Sequence, residues 1–222
     1  MIVAEQKPIK ELLEMVKNFN KILILGCKGC VSVCNVGGAK EVGILASALK
    51  IAMRKNGRDL EVGERTLERQ CDPEYIDEVK EIIHDYDAVI SIACGVGPQF
   101  LSERYPDVKV FPGLNTKFMG GAIEHGVWSE RCAGCGQCVI HYFGGICPIA
   151  RCSKSLLNGP CGGSSGGKCE IHQEVECIWD TIVRKMMEQD RLKELIEFKP
   201  PKSWTTARDG GPRRILREEL VK

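Results

Sequence analysis

The sequence has no long apolar run, no excess of charge of one sign and few aromatic residues. Its longest apolar stretches, such as KILIL and AVISIA, are too short for a membrane span. The formal net charge is +1, which gives no electrostatic case for binding nucleic acid or an anionic membrane. Residues 1–16 lack the continuous apolar region of a signal peptide. We therefore expect a cytoplasmic protein without structural disulfides.

Nucleotide and flavin fingerprints are also missing. Residues 162–168 share the glycine and lysine of a P-loop, but Cys169 replaces the magnesium-binding Ser or Thr, and no predicted strand precedes them. The GVG at residues 95–97 is too short for a dinucleotide fingerprint. We therefore assign this chain no catalytic residue and no organic cofactor site.

Cysteine, in contrast, is abundant, with 13 residues in the chain. Eight lie close together in the sequence: Cys132, Cys135, Cys138, Cys147, Cys152, Cys161, Cys169 and Cys177. The first three are separated by two-residue gaps, and Pro148 follows Cys147 as in bacterial ferredoxins. Large apolar residues are few here, so bound metal must supply folding free energy, on the order of 10 kcal/mol per site. We expect a cysteine-rich, ferredoxin-like metal module.

Three explanations compete for these eight cysteines. Disulfides require an oxidising compartment, and structural zinc typically uses two C-x2-C half-sites separated by a spacer. The C-x2-C-x2-C run instead favours two 4Fe–4S clusters. With the crossover of two-cluster ferredoxins, one ligand set is Cys132, Cys135, Cys138 and Cys177, and the other is Cys147, Cys152, Cys161 and Cys169. His125, His141 and His172 are alternative ligands near the cysteines.

The first half of the chain alternates predicted strands and helices. We predict strands near 21–25, 60–68, 88–93 and 108–111, and helices near 8–19, 39–56, 72–86 and 98–105. This alternation predicts an α/β fold with an open parallel, Rossmann- or flavodoxin-like sheet and right-handed crossovers. Residues 111–126 are interpreted as a long glycine-rich connector.

The second half is expected to follow the sheet as a separate module and a C-terminal helix. An amphipathic helix is predicted over residues 174–198, and we expect it to pack the module onto the sheet. Its apolar face comprises Val175, Ile178, Trp179, Ile182, Val183 and Met186. We divide the chain into an α/β domain at 1–127, the cysteine-rich module at 128–178, and the C-terminal helix and partner-binding tail at 179–222.

Five further cysteines, Cys27, Cys30, Cys34, Cys71 and Cys94, belong to the predicted sheet. Three of them end predicted strands, at the sheet edge where open parallel sheets bind ligands. The other two begin the next helix, whose dipole favours thiolates. We predict a third cluster or a zinc ion here, with Cys34 or Cys30 as the spare cysteine. The alternative is that buried cysteines end strands as small hydrophobic residues.

The tail from Lys199 onward has two interpretations. It is either disordered, or an arm that becomes ordered against a partner. In the second case, Trp204 and Ile215 are apolar anchors, and Arg213, Arg214 and Arg217 form a basic rim.

The order of motifs resembles a known family. GCKGCVSVC, RQCDP, ACGVG, FPGLNTKFMGG, RCAGCGQC, GGICPIARC, LLNGPCGG and ECIW together are similar to the MetV-type small iron–sulfur subunit of anaerobic methylenetetrahydrofolate reductase, the methylenetetrahydrofolate reductase C-terminal family. The similarity spans nearly all of residues 10–180. It implies two to three 4Fe–4S clusters that pass electrons to a flavin-bearing TIM-barrel chain, which reduces methylene- to methyltetrahydrofolate in one-carbon metabolism (the Wood–Ljungdahl pathway). Such chains sometimes carry a zinc-finger label, so zinc remains the alternative at the five-cysteine site.

The resemblance implies a non-catalytic oxidoreductase subunit that is inactive alone and receives electrons from a ferredoxin or a larger redox complex. Two other functions remain open. One is a zinc-stabilised adaptor of the same complex. The other is a subunit of a different iron–sulfur enzyme, such as a corrinoid methyltransferase system. Neither nucleic acid nor a membrane is an expected partner.

Overall fold

A computed structural model describes residues 1–220, and the last two residues of the predicted tail, 221–222, lie outside the described part. The chain divides into two compact units, residues 1–128 and residues 129–222. The helix and tail predicted from residue 179 onward belong to the second unit. No helix of the described residues is long and apolar enough to cross a membrane.

The first unit contains most of the regular secondary structure. Its elements in chain order are β1 (Ile2–Gln6), α1 (Ile9–Val16), β2 (Lys21–Cys27), α2 (Cys30–Val33), α3 (Ala39–Lys55), β3 (Glu61–Leu67), α4 (Pro73–Ile76), β4 (Ala88–Ile92), α5 (Val96–Arg104), β5 (Val110–Pro112) and β6 (Leu114–Glu124). The next strand, β7 (Val127–Cys132), begins in the first unit and ends in the second.

Four strands form the predicted parallel sheet, in the order β3-β2-β4-β5. The α/β class with a parallel sheet is therefore confirmed. Counted within this sheet alone, the order is 2-1-3-4, which is the start of the flavodoxin-like order. In that order, the switch point at which ligands bind lies between the first and third strands. Here these strands are β2 and β4.

The parallel sheet is covered on both faces, which explains the apolar run of β2. Ile22 and Ile24 join the core formed with α1 and α3. Leu23 and Leu25 belong to the opposite core, together with Ile76 of α4. A strand buried on both faces reads as a continuous apolar sequence rather than an alternating one.

Residues 111–126 are not a connector, so that prediction was wrong. They contain β6, which pairs antiparallel with β1 and lies between β1 and β7 in a second, three-stranded sheet. Ile2 pairs with Met119, and Gln6 pairs with Leu114. The glycines and polar residues of β6 have weak local strand preference, so the strand depends on pairing with a distant segment.

The predicted helix over 72–86 is broken into short turns. The Asp72 carboxylate caps α4 as expected, accepting a hydrogen bond from the Glu74 N–H at 3.3 Å. The chain then continues as 3-10 turns at Asp77–Val79 and Ile83–Asp85. The buried Ile76, Val79 and Ile83 keep a spacing of three to four residues, which a 3-10 turn satisfies as well as an α-helix.

The second unit has little regular structure and a small core. It contains α6 (Pro148–Arg151), α7 (Ile178–Glu188) and several 3-10 turns, listed here in chain order: Ile140–Phe143, Leu192–Leu195, Trp204–Thr206, Arg208–Gly210 and Glu218–Leu220. The core consists of Phe143, Ile178, Trp179, Ile182 and Met186.

Helix α7 confirms only the middle of the predicted helix over 174–198. It begins after Cys177, and the residue before that cysteine, Glu176, instead pairs with Lys168 in an isolated antiparallel bridge. Val175 is exposed. The buried side of α7 packs within its own unit, where the Phe143 and Trp179 ring centroids are 5.4 Å apart. We had expected this face to pack the module onto the sheet.

Gly37 is the residue whose close backbone contact best tests this fold. A Cβ atom at Gly37 would lie 2.1 Å from the Ile92 carbonyl oxygen, whereas one at Gly121 would meet nothing within 4 Å. We predict that Gly37→Ala destabilises the first unit by about 1–3 kcal/mol through overpacking. Hydrogen exchange of the β2 and β4 amides should become faster in Gly37→Ala and stay unchanged in Gly121→Ala. Equal exchange in both variants would contradict this close contact.

Candidate metal centres

Four of the five predicted cysteines of the first unit lie at one edge of the parallel sheet. Cys27 ends β2, Cys71 and Cys94 lie in the segments that follow β3 and β4, and Cys30 begins α2. Parallel strands place their carboxyl ends at the same edge, so distant segments deliver these thiols to one place. Cys27 and Cys94 follow the two strands of the switch point. We call these four residues the sheet-edge site.

The thiols of the sheet-edge site influence one another. Partial burial of the thiol is the largest cause that raises the pKa of Cys71, although the residue as a whole is exposed. The neighbouring thiols of Cys27 and Cys94 raise this pKa further, and Cys30 contributes less. Like charges disfavour ionisation of one another, so four thiolates can share this edge only with a cation among them.

Cys34 is set apart from the other cysteines of the first unit. Its side chain is buried, with 5% exposed, and it lies at the end of α2. Its thiol donates to the carbonyl oxygens of Cys30 at 3.4 Å and Val31 at 3.7 Å. Of the two candidates for the spare cysteine, the structure therefore favours Cys34, which behaves as a small buried residue of its own helical turn.

Gln70 fixes the position of the segment that carries Cys71. Its side-chain amide donates to the carbonyl oxygens of Leu25 at 2.8 Å and Gly26 at 2.9 Å, and accepts from the Ser91 hydroxyl at 2.6 Å. The residue is 1% exposed. Gln70 thus connects the ends of β2 and β4 to the residue next to Cys71. The sequence analysis did not identify Gln70 as a positioning residue. The one signal for it in the sequence is Ser91, a polar residue within an apolar strand that needs a hydrogen-bond partner.

The second unit contains the other eight cysteines, and backbone N–H groups contact several of their sulfur atoms. Cys132 Sγ accepts from the Gly134 N–H at 3.4 Å, and Cys147 Sγ accepts from the Ala150 N–H at 3.4 Å. Gly134 and Gly136 have φ values of 62° and 79°, which turn the loop tightly around the C-x2-C-x2-C run. Hydrogen bonds of this kind stabilise ionised sulfur and tune a bound cluster.

Four cysteines of the second unit line one cavity: Cys152, Cys161, Cys169 and Cys177. The Ser153 hydroxyl, 3.5 Å from Cys169 Sγ, is the largest cause that lowers the pKa of this thiol. The Ile171 N–H lowers the same pKa. We call these four residues the second module site.

This grouping differs from the ferredoxin crossover, which placed Cys177 with Cys132 and Cys147 with Cys152. Two backbone hydrogen bonds explain the difference. The Cys177 N–H donates to the Gly167 carbonyl at 2.8 Å, and the Cys169 N–H donates to the Val175 carbonyl at 2.9 Å, so Cys177 is held beside Cys169.

Of the eight cysteines, Cys147 is then left with Cys132, Cys135 and Cys138 of the C-x2-C-x2-C run, and we call this set the first module site. Within residues 1–220, no three cysteine, histidine or carboxylate side chains are arranged as a site for a single metal ion.

The comparison with known families concerns the second half of the chain. Residues 111–205 match a family model described as "Methylene-tetrahydrofolate reductase C terminal". This match confirms the family resemblance. The matched residues include β6, all eight cysteines of the second unit and the tail up to Thr205. No curated protein and no solved structure shows significant similarity to the chain.

Gln70 offers a test of how the sheet-edge site is positioned. We predict that Gln70→Leu leaves two buried carbonyls and one hydroxyl without their partner, at a cost of about 1–3 kcal/mol. The Cys71 segment should loosen, and less metal should remain bound after a chelator challenge of the full chain. The control is Asn56→Leu, since Asn56 is exposed at the end of α3 in the same unit. Equal metal retention in both variants would show that Gln70 does not position the site.

Proposed function

We propose that this chain is an electron-transfer subunit that holds 4Fe–4S clusters and passes electrons to a flavin-containing methylenetetrahydrofolate reductase chain. The observation that carries the proposal is that four cysteines meet at the sheet edge and four others line one cavity of the second unit. Cys132, Cys135, Cys138 and Cys147 are then the four cysteines of the second unit left for a further cluster. A 4Fe–4S cluster takes four cysteine thiolates. The match of residues 111–205 to the reductase C-terminal family supports the choice of enzyme.

The residues at each site fit this kind of cofactor. All three sets consist of thiols alone, a ligand type that selects iron–sulfur clusters or zinc over magnesium and calcium. At the sheet edge, burial raises the pKa of Cys71 most and the neighbouring Cys27 and Cys94 thiols raise it further, and a bound cation would offset both effects. In the second unit, glycine turns and N–H groups directed at sulfur provide the backbone environment that clusters use.

Bound clusters would act as the one-electron carriers, a chemistry that the side chains of the protein do not provide. The chain's own residues hold the sulfur ligands, direct N–H donors at them and exclude water from part of each site. Cys27 is buried, and five of the eight cysteines of the second unit are partly buried. Hydrogen bonding to sulfur and solvent exposure both set cluster potentials, so these residues would tune the carriers.

A partner is required because the sequence contains no flavin or nucleotide fingerprint. The reduction of methylene- to methyltetrahydrofolate would take place on the partner chain, and a ferredoxin or a larger redox complex would donate the electrons. This division of labour makes the protein redox-active by itself and catalytically inactive alone.

A zinc-stabilised adaptor of the same complex is the second candidate. Of the three candidate sites, the sheet-edge site gives the strongest support for this adaptor, because its four thiolates also suit tetrahedral zinc. Such a protein would hold the reductase against an electron donor and carry no electrons.

Metal content after anaerobic purification separates these two functions. We predict roughly 12 iron atoms per chain and a visible absorbance that dithionite bleaches. Cys135→Ser should lose about four of these iron atoms, because it removes a ligand of one cluster. Cys34→Ser should lose none, because the Cys34 thiol is buried and donates to the backbone carbonyls of α2 and, at 4.0 Å, of Ile2. Stoichiometric zinc without iron in the wild-type protein would establish the adaptor and end the electron-transfer proposal.

Reconstitution tests the partner. The isolated protein should be reduced by dithionite yet fail to oxidise methyltetrahydrofolate with a dye acceptor, since it has no flavin. Adding the flavin-bearing reductase chain should produce electron flow from the reduced clusters to the flavin, measured as flavin bleaching. The Cys135→Ser variant is the matched control and should transfer electrons more slowly. Turnover of the folate by the isolated chain would show that the subunit assignment is wrong.

A further inference from the structure

The tail of the second unit folds onto the loop that carries the first module cysteines. Lys202 Nζ and Thr206 Oγ1 each donate to the Cys135 carbonyl oxygen at 2.9 Å. The Arg213 guanidinium donates to the Gly134 carbonyl oxygen. A Cβ atom at Gly136 would lie 2.2 Å from the Thr206 carbonyl oxygen, so the two segments are in close contact.

These contacts change the interpretation of the tail. Arg213 was assigned to a partner-facing basic rim, but its guanidinium contacts the module's own loop. Trp204, assigned as an apolar anchor, lies with its ring beneath Lys202, 4.6 Å from Nζ to the ring centroid. The other anchor, Ile215, is exposed. The part of the tail from Lys202 to Arg213 therefore packs on the cysteine loop of its own unit rather than forming a separate surface for a partner.

Lys202 is the unusual member of this contact. It is 7% exposed, although lysine is almost never buried without a partner of opposite charge. Its ammonium contacts the carbonyl oxygens of Cys135 at 2.9 Å and Ser203 at 3.4 Å and the face of Trp204, all of which are neutral.

No carboxylate among the described side chains forms an ion pair with Lys202, whereas nearby Lys199 pairs with Glu197 at 3.0 Å. A buried charge without a counter-charge is unfavourable, so an anion belongs beside it.

The cysteine loop can supply that anion. Cys135, whose carbonyl oxygen binds Lys202, is one of three thiols in the C-x2-C-x2-C run. Four thiolates around a 4Fe–4S core leave a net negative charge, and that charge becomes more negative by one when the cluster is reduced. A fixed positive charge in a water-poor position stabilises the reduced form more than the oxidised form.

We propose that Lys202 is the counter-charge of the cluster at the first module site and raises the reduction potential of that cluster. The inference rests on the proposed function, since it requires a cluster at this site. The reaction concerned is uptake of one electron from the donor protein, with no bond formed or broken. Thr206 acts beside Lys202 as a neutral donor to the same carbonyl and only positions the loop.

The test is an EPR-monitored redox titration of the full chain, purified anaerobically, with its iron content measured. Lys202→Met removes the charge and keeps the length of the side chain. It should shift the midpoint potential of one cluster to more negative values and leave the others unchanged. Thr206→Val removes a hydrogen bond to the same oxygen without changing charge and should shift that potential less. Lys193→Met removes an exposed charge of the same unit and should have no effect.

Lys202→Arg keeps the charge and should keep both the iron and a potential close to that of the wild type. The proposal is overturned if Lys202→Met binds full iron and titrates like the wild type, or if its shift is no larger than that of Thr206→Val. It is also overturned if Lys202→Met and Lys202→Arg both lose the cluster, because shape rather than charge would then matter. A wild-type protein without iron would instead refute the proposed function. Failure of the Lys202 proposal and failure of the proposed function can therefore be distinguished.

Discussion

Repulsion between thiolates is the constraint on which this protein is built. Cysteine packs well as a neutral residue, but thiols brought to one edge or around one cavity cannot all ionise unless positive charge lies among them. Cys71 is an example, since burial raises its pKa most and its neighbours Cys27 and Cys94 raise it further. In the proposed function, metal would supply that positive charge at each set of four cysteines. Stability and electron transfer would then depend on the same bonds.

The two units meet this constraint in different ways. In the first unit, apolar cores on both faces of the parallel sheet hold the strands, and the cysteines occupy the ends of strands that are already fixed. In the second unit, only five buried side chains form a core around α7, and turns and backbone bridges place the cysteines. Loss of metal should consequently affect the second unit more, because less apolar burial remains to hold it.

Much of the fold could be predicted from sequence, and much of the site could not. The alternation of KILIL and AVISIA with helical segments indicated the parallel sheet, because burial on both faces leaves a clear apolar pattern. Strand β6 was missed because its partner β1 is distant in sequence. Cysteine positions predicted candidate metal centres, but the grouping of Cys177 depends on hydrogen bonds to residues 167–175 that have no sequence signature. Gln70 and Lys202 were missed because a single polar residue reveals its partner only after folding.

The pairing of β1 with β6 has a consequence for synthesis on the ribosome. The Met1 ammonium donates to the Gly120 carbonyl at 3.0 Å, across a separation of 119 residues. Contacts of such long range form late, after the intervening chain is available. Strand β1 thus stays unpaired while the four parallel strands emerge, and it is protected only when β6 leaves the exit tunnel. The eight cysteines of the second unit emerge just behind β6, so any metal bound by them would be taken up after closure of the first unit.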